Sequence, residues 1–126
     1  MENILVILIA IKQYIKEYHW LAKSYQEHIL ADKLEEDLED YADEVAELAL
    51  VTETPNVEAK HLLGQAENYL NGKDKADLNT LADLFIGLQE QLQSLKPELL
   101  GISDLSGRLS NTILRKLYLI KLQLGK

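Results

Sequence analysis

Apolar residues recur at three- and four-residue steps along almost the whole chain, a period that predicts helices throughout. Ile4, Ile7, Leu8, Ile11, Ile15, Tyr18 and Leu21 mark a first helix, A, from about Glu2 to Ala22. It ends without Gly or Pro. The break is signalled instead by Ser24-Tyr25-Gln26-Glu27, a capping box in which Ser24 accepts from the Glu27 amide and Glu27 reaches back. Helix B then runs from about Tyr25 to Val51, with Leu30, Leu34, Leu38, Tyr41, Val45 and Leu48 inward. Thr52 to Asn56, with Pro55, is a loop. Val57 to Leu70 reads as a shorter helix stopped by Asn71-Gly72, and Lys73 to Lys75 as a polar turn. Asp77 to Leu95 makes helix C, with Leu78, Leu81, Leu84, Phe85, Leu88, Leu92 and Leu95 inward and Lys96-Pro97 as its end. Ser103 caps helix D, which carries Leu105, Leu109, Ile113, Leu117, Ile120 and Leu124. The expected fold is all-α: a four-helix bundle with a short extra helix between B and C, in one domain over residues 1–126.

Composition narrows the function classes. The 126 residues are 47% apolar, enough for a core, and only two prolines and six glycines interrupt them. With no cysteine there are no disulfides, thiolate metal sites or cysteine nucleophiles, which fits a cytoplasmic protein. The longest apolar run, Ile4 to Ile11, has eight residues, too few to span a bilayer. No Lys or Arg precedes it, so it does not read as a signal peptide. Being apolar on all sides, it is expected to be buried twice, once in its own bundle and once against a partner. Net charge is −8, and Glu27 to Glu47 holds ten acidic residues against one lysine, Lys33. Such a surface repels nucleic acid. For most of these carboxylates the plain reading is a solvated helix face.

A subset suggests metal chemistry. His28 and Asp32 are spaced i, i+4, as are Asp43 and Glu47. On one continuous helix, with His28 at zero, the other three fall at roughly 40°, 60° and 100°, all on one side. Yet about 16 Å of rise separates Asp32 from Asp43, too far for one cluster. Two copies of helix B, crossed antiparallel near Asp37 and Leu38, would set His28 and Asp32 of one chain against Asp43 and Glu47 of the other. Symmetry makes two such sites, about 22 Å apart. Imidazole with carboxylates suits Fe, Mn or Zn better than Ca or Mg. The imidazole must be neutral to bind, so occupancy should fall below about pH 6.

His19, at the last turn of helix A, is either a polar residue near a helix end or a ligand reaching across the A–B bend toward the His28 group. Trp20 beside it reads as a core or interface anchor, and Tyr18, Tyr25 and Tyr41 as packing residues before electron donors. Glu58 and His61 form one Glu-x-x-His motif where di-metal bundles use two, so a solvent-facing pair is preferred there. Ser24 and Ser110 have no His/Asp relay, and no Gly-rich phosphate loop occurs.

Taken together, His19-Trp20, His28-x-x-x-Asp32 and Asp43-x-x-x-Glu47 resemble the ferroxidase signature of the Dps-like mini-ferritins, within the ferritin-like superfamily. The intervals from His28 to Asp32, Asp43 and Glu47 match that pattern. The run Tyr18-His19-Trp20 through Glu27-His28 is also similar to short Dps-like proteins of phage-related genomes. The likeness covers residues 12–51. It implies a ferritin-like bundle with an iron site between two subunits, the metal ligands being His28, Asp32, Asp43 and Glu47 with His19 as a fifth. It further implies Fe(II) oxidation by peroxide or oxygen, iron storage, and a homo-oligomer, either a twofold dimer or a twelve-subunit shell. His19 and His28 stand nine apart, closer than in the family, and no Lys-rich tail is present, so DNA binding is not carried over. A reading from a different class is a non-catalytic helical interaction module that assembles through helices A and B.

Overall fold

The computed structural model describes residues 1–95 and 98–125. Among these, helices follow in the order α1 (Glu2–Trp20), α2 (Tyr25–Glu35), α3 (Leu38–Thr52), α4 (Ala59–Leu70), α5 (Leu78–Ser94) and α6 (Leu100–Leu124). Cross-helix contacts fix their directions. Lys16 meets Glu35 at 3.2 Å, Lys12 meets Glu39, and the Met1 ammonium meets Glu53 at 3.1 Å, so α2 and α3 together descend along α1. The Asn3–Gln91 and Tyr14–Asp77 contacts make α5 antiparallel to α1 as well. Arg108–Glu44 and Lys116–Lys33 set α6 antiparallel to α2 and α3. His61 lies against Glu2, and Asp74, just past α4, lies against Tyr14, so α4 climbs back beside α1. The course of the four long segments is up, down, down, up, with one long crossover that contains α4.

The second helix differs from expectation. It is broken at Glu36–Asp37, where Asp37 adopts a left-handed φ of 69°. Nothing in Glu35-Glu36-Asp37 forbids a helix, and Asp tolerates this region better than most side chains. What holds the break is distant in sequence. The ammonium of Lys116, buried on α6, donates to the Lys33 carbonyl at 3.0 Å and supplies a partner at the end of α2.

The first helix also differs. Ile4 through Leu8, with Ala10 and Ile11, are buried within the single chain. The second covering layer is α4 of the same chain, not a partner, while α2, α3 and α5 pack on its other flanks. Tyr69 of α4 approaches α5, where a Cβ on Gly87 would lie 2.9 Å from its hydroxyl. Ser103 does not cap the last helix. That helix begins a turn earlier, at Leu100, and the Ser103 amide bonds to the Leu99 carbonyl. Asp77 caps α5 by accepting from the Thr80 amide at 3.2 Å. The end assigned to helix C, Lys96-Pro97, lies outside the described residues. Among the described residues no helix is long and apolar enough to cross a membrane.

Tyr18 packs in this core with its hydroxyl buried and without a hydrogen-bond partner in the chain. Burial, and then the Glu27 carboxylate, push its phenol up to about 12. An unfolded tyrosine loses its proton near 10, so this group contributes fully below pH 10 and its contribution falls as pH rises from 10 through about 12. Tyr18→Phe should therefore be at least as stable as wild type at pH 7, because a buried unsatisfied hydroxyl costs about 1–3 kcal/mol. It should also lose less stability between pH 9 and 11 in urea melts. Equal alkaline slopes for both proteins would refute this assignment.

Candidate metal centre

The corner between α1 and α2 is built by two local signals. α1 stops at Trp20, where the Leu21 amide closes on the Glu17 carbonyl and the Ala22 amide on that of His19. Four residues later the capping box starts α2: Ser24 Oγ accepts from the Glu27 amide at 3.1 Å. The Glu27 carboxylate reaches back to the Lys23 amide at 2.9 Å, one residue further than a standard box. The chain reverses so tightly that the first turn of α2 lies against the last turn of α1.

His19 thereby meets His28. Their Nε2 atoms lie 3.2 Å apart and the rings pack edge to face with centroids 4.1 Å apart. Asp32 Oδ1 lies 3.6 Å from His19 Nδ1, too long for a hydrogen bond and beside the ring nitrogen other than the one that meets His28. One donor atom from each of His19, His28 and Asp32 falls within 4.8 Å of the others. Two facing neutral imidazoles share either one proton or one metal ion, since paired lone pairs with nothing between them repel. Nitrogens about 2.0–2.1 Å from a common ion stand roughly 2.9 Å apart at right angles and roughly 3.4 Å apart in a tetrahedron. The observed 3.2 Å lies between these values. The group is half-open to solvent: His19 is partly covered, and His28 and Asp32 are exposed. An open dish lined by Trp20, Lys23 and Tyr25 lies beside the two histidines. Trp20, read from the sequence as a core or interface anchor, is 69% exposed in the single chain.

Asp43 and Glu47 are outside this group, exposed on α3. With Asp37 breaking the helix, the angular reading holds within each i, i+4 pair and not across all four residues. Even so, Asp43 shares a flank with the histidines. Lys12, Lys16 and His19 form an i, i+4, i+7 strip on α1. Lys16 pairs with Glu35, His19 neighbours Asp32, and Lys12 pairs with Glu39 and feels Asp43. Burial pushes the Lys12 ammonium below the ordinary lysine value, and Asp43 pulls it back. Asp43 thus sits about 10 Å along α1 from the histidines, by the rise between Lys12 and His19. The lysine strip is a feature missed in the sequence reading, although its spacing on helix A was visible.

The remaining candidates are structural. His61 Nε2 contacts Glu2 Oε2 at 3.0 Å rather than Glu58, and this bond holds the Glu2 carboxyl below its usual range. Glu44 binds the Arg108 guanidinium, which also bonds Asp104 at 2.8 Å, and these partners raise the guanidinium further. The Tyr41 hydroxyl pairs with Thr112 at 3.0 Å. No protein-family model matches the chain, and neither does any curated protein or solved structure. The likeness to mini-ferritins rests on the residues named above.

Proposed function

We propose that this protein is a Dps-like, iron-handling bundle. Iron would enter as substrate at the His19–His28–Asp32 corner, and Asp43 and Glu47 of a second copy would complete a di-metal ferroxidase site across a twofold axis. The observation that carries the reading is the convergence of His19 on His28 and Asp32, which turns an ambiguous end-of-helix histidine into a candidate ligand. The single-crossover bundle and the shared flank of Asp43 agree with it. In the oxidation, two Fe(II) ions each give one electron to one peroxide, which takes up two protons and leaves as two waters. Manganese or zinc would suit the same donors as ligands without turnover.

Aerobic Fe(II) addition to the purified protein, followed by ferric absorbance, is expected to show fast oxidation in wild type. Asp43→Ala should slow it at least tenfold with unchanged helicity, because Asp43 is exposed and bears no core contact. Equal traces for the two proteins would leave the non-catalytic interaction module as the better reading. The apolar side chains exposed around the corner, Trp20, Leu21, Tyr25 and Ile29, are what that reading would use.

A further inference from the structure

We infer that the outer face of α6 is a self-complementary docking surface for α6 of a second copy of this chain, the two helices running antiparallel about a twofold axis at Asn111. The inference uses no residue of the α1–α2 corner and is independent of metal binding. α6 packs mainly on α5 and touches α2 and α3 more lightly, so one side of it is bare along its length. At 100° per residue, Leu100, Gly107, Asn111, Leu114, Tyr118 and Leu122 fall within roughly 80° of one another on that side. Leu100 is 89% exposed, Leu114 54%, Tyr118 59% and Leu122 58%. Four large apolar side chains aligned on the solvent side of one helix, in a chain of net charge −8, mark a face that a partner covers. Gly107 is a second observation. Glycine inside a helix is less stable than alanine, and nothing in the chain lies within 4 Å of the Cβ that alanine would add. No internal contact explains this glycine, whereas a close approach from outside does.

Charge selects the occupant and its direction. From Leu105 to Lys126 the chain has five cations (Arg108, Arg115, Lys116, Lys121 and Lys126) and no acidic residue, while Glu98 and Asp104 stand at the other end of the segment. Among the described residues the ion pairs of α6 are those of Arg108, so Arg115 and Lys121 are free to pair outward. Parallel helices would set Arg115 against Arg115 and Lys121 against Lys121. Antiparallel helices bring the cationic end of one to the acidic start of the other and oppose the helix dipoles. With the axis at Asn111, Tyr118 comes level with the partner's Asp104 and Leu122 with the partner's Leu100, and Leu114 lies within about 1.5 Å of the height of the partner's Gly107. Leu114 thus fills the gap over the glycine, and Arg115 comes beside the partner's Asp104. The two Asn111 amides face each other on the axis, where each can donate to the other's oxygen. This contact differs from the α2–α3 pairing proposed above, and two different twofold contacts on one chain build a tetramer or a larger assembly.

The chain has no cysteine, so single introduced cysteines report the pairing. Leu100→Cys and Leu122→Cys proteins are mixed and oxidised. The mixed disulfide should exceed either self-linked dimer about tenfold, because a disulfide bridges only close Cα atoms and only the antiparallel register sets these two positions together. Self-linked Leu100→Cys dimers in equal or greater yield overturn the inference. Mass in solution is then measured by light scattering, with far-UV circular dichroism as the folding check. Leu114→Glu should halve the wild-type mass and keep its helicity, while Leu63→Glu, exposed on α4, should leave the mass unchanged. Gly107→Leu should also halve it, a result opposite to that of unspecific apolar association, which an added leucine would strengthen. Wild-type mass in both α6 variants overturns the inference and leaves the iron site on α2 and α3 to its own test with Asp43→Ala. A monomeric wild type overturns it as well, and one that sediments with phosphatidylglycerol vesicles would give the apolar stripe to a lipid surface instead.

Discussion

Ile11→Ala should lower stability by about 2–5 kcal/mol, measured as a shift in urea midpoint at constant slope. Ile11 lies at the middle of α1, fully buried, in the one helix that touches α2, α3, α4 and α5. Removing its outer carbons leaves a void bounded by several elements, and a helix packed on several flanks cannot shift to fill it. The cost should therefore sit in the upper part of that range. Leu63→Ala is the control. Leu63 is equally apolar and helical, yet 61% exposed on α4, and surface substitutions of this kind stay within about 0.5 kcal/mol. Similar losses for the two variants would refute the central position assigned to α1. The outcome also bears on assembly. Because α4 covers the outer side of the apolar run from Ile4 to Ile11, that run does not itself call for a partner.

Lys116→Met should cost about 1–3 kcal/mol at pH 7. Methionine keeps most of the stem's volume but leaves the Lys33 carbonyl without the donor that α6 provides at the break between α2 and α3. The pH dependence has a defined sign. Burial pushes the Lys116 ammonium below its ordinary value of 10.5, with Asp37 and Glu36 pulling it up and Arg115 pushing it down. Between the folded value and 10.5 the unfolded chain holds a proton that the folded chain has released, so folded stability rises with pH through that window. A neutral amine still donates to the carbonyl without the burden of a buried charge. The gap between wild type and Lys116→Met should consequently widen as pH rises toward 10.5. Lys12, also shifted down by burial, is present in both proteins and cancels from the difference. A gap that narrows over this interval would show that the ammonium charge, rather than its hydrogen bond, is what the site uses.

Both variants also bear on the candidate centre. α1 positions His19, and the break that Lys116 supports lets α2 and α3 each follow α1 with its own facing. Loosening either should reduce metal affinity as well as stability, whereas Leu63→Ala should leave affinity unchanged.

The sequence alone determined the all-helical class and the succession of helical segments, though not the break inside the second, because a 3.6-residue period and the Ser24 capping box are local properties that act before any packing. The inward faces of α5 and much of α2 and α3 were legible for the same reason, as was the short helix stopped at Asn71-Gly72, where Gly72 takes a φ of 79°. So were the histidine and carboxylate positions, although whether His19 belonged with His28 was left open. Tertiary structure brings the two rings together, with Nε2 atoms 3.2 Å apart, because the chain turns sharply between Leu21 and Ser24. It also decided that α2 and α3 are separate helices. No residue in Glu35-Glu36-Asp37 breaks a helix by itself, and the support comes from Lys116, 83 residues from Lys33. That α4 rather than another molecule covers α1 was likewise undecided by pattern, because an apolar face in a sequence states that it must be covered and not by what.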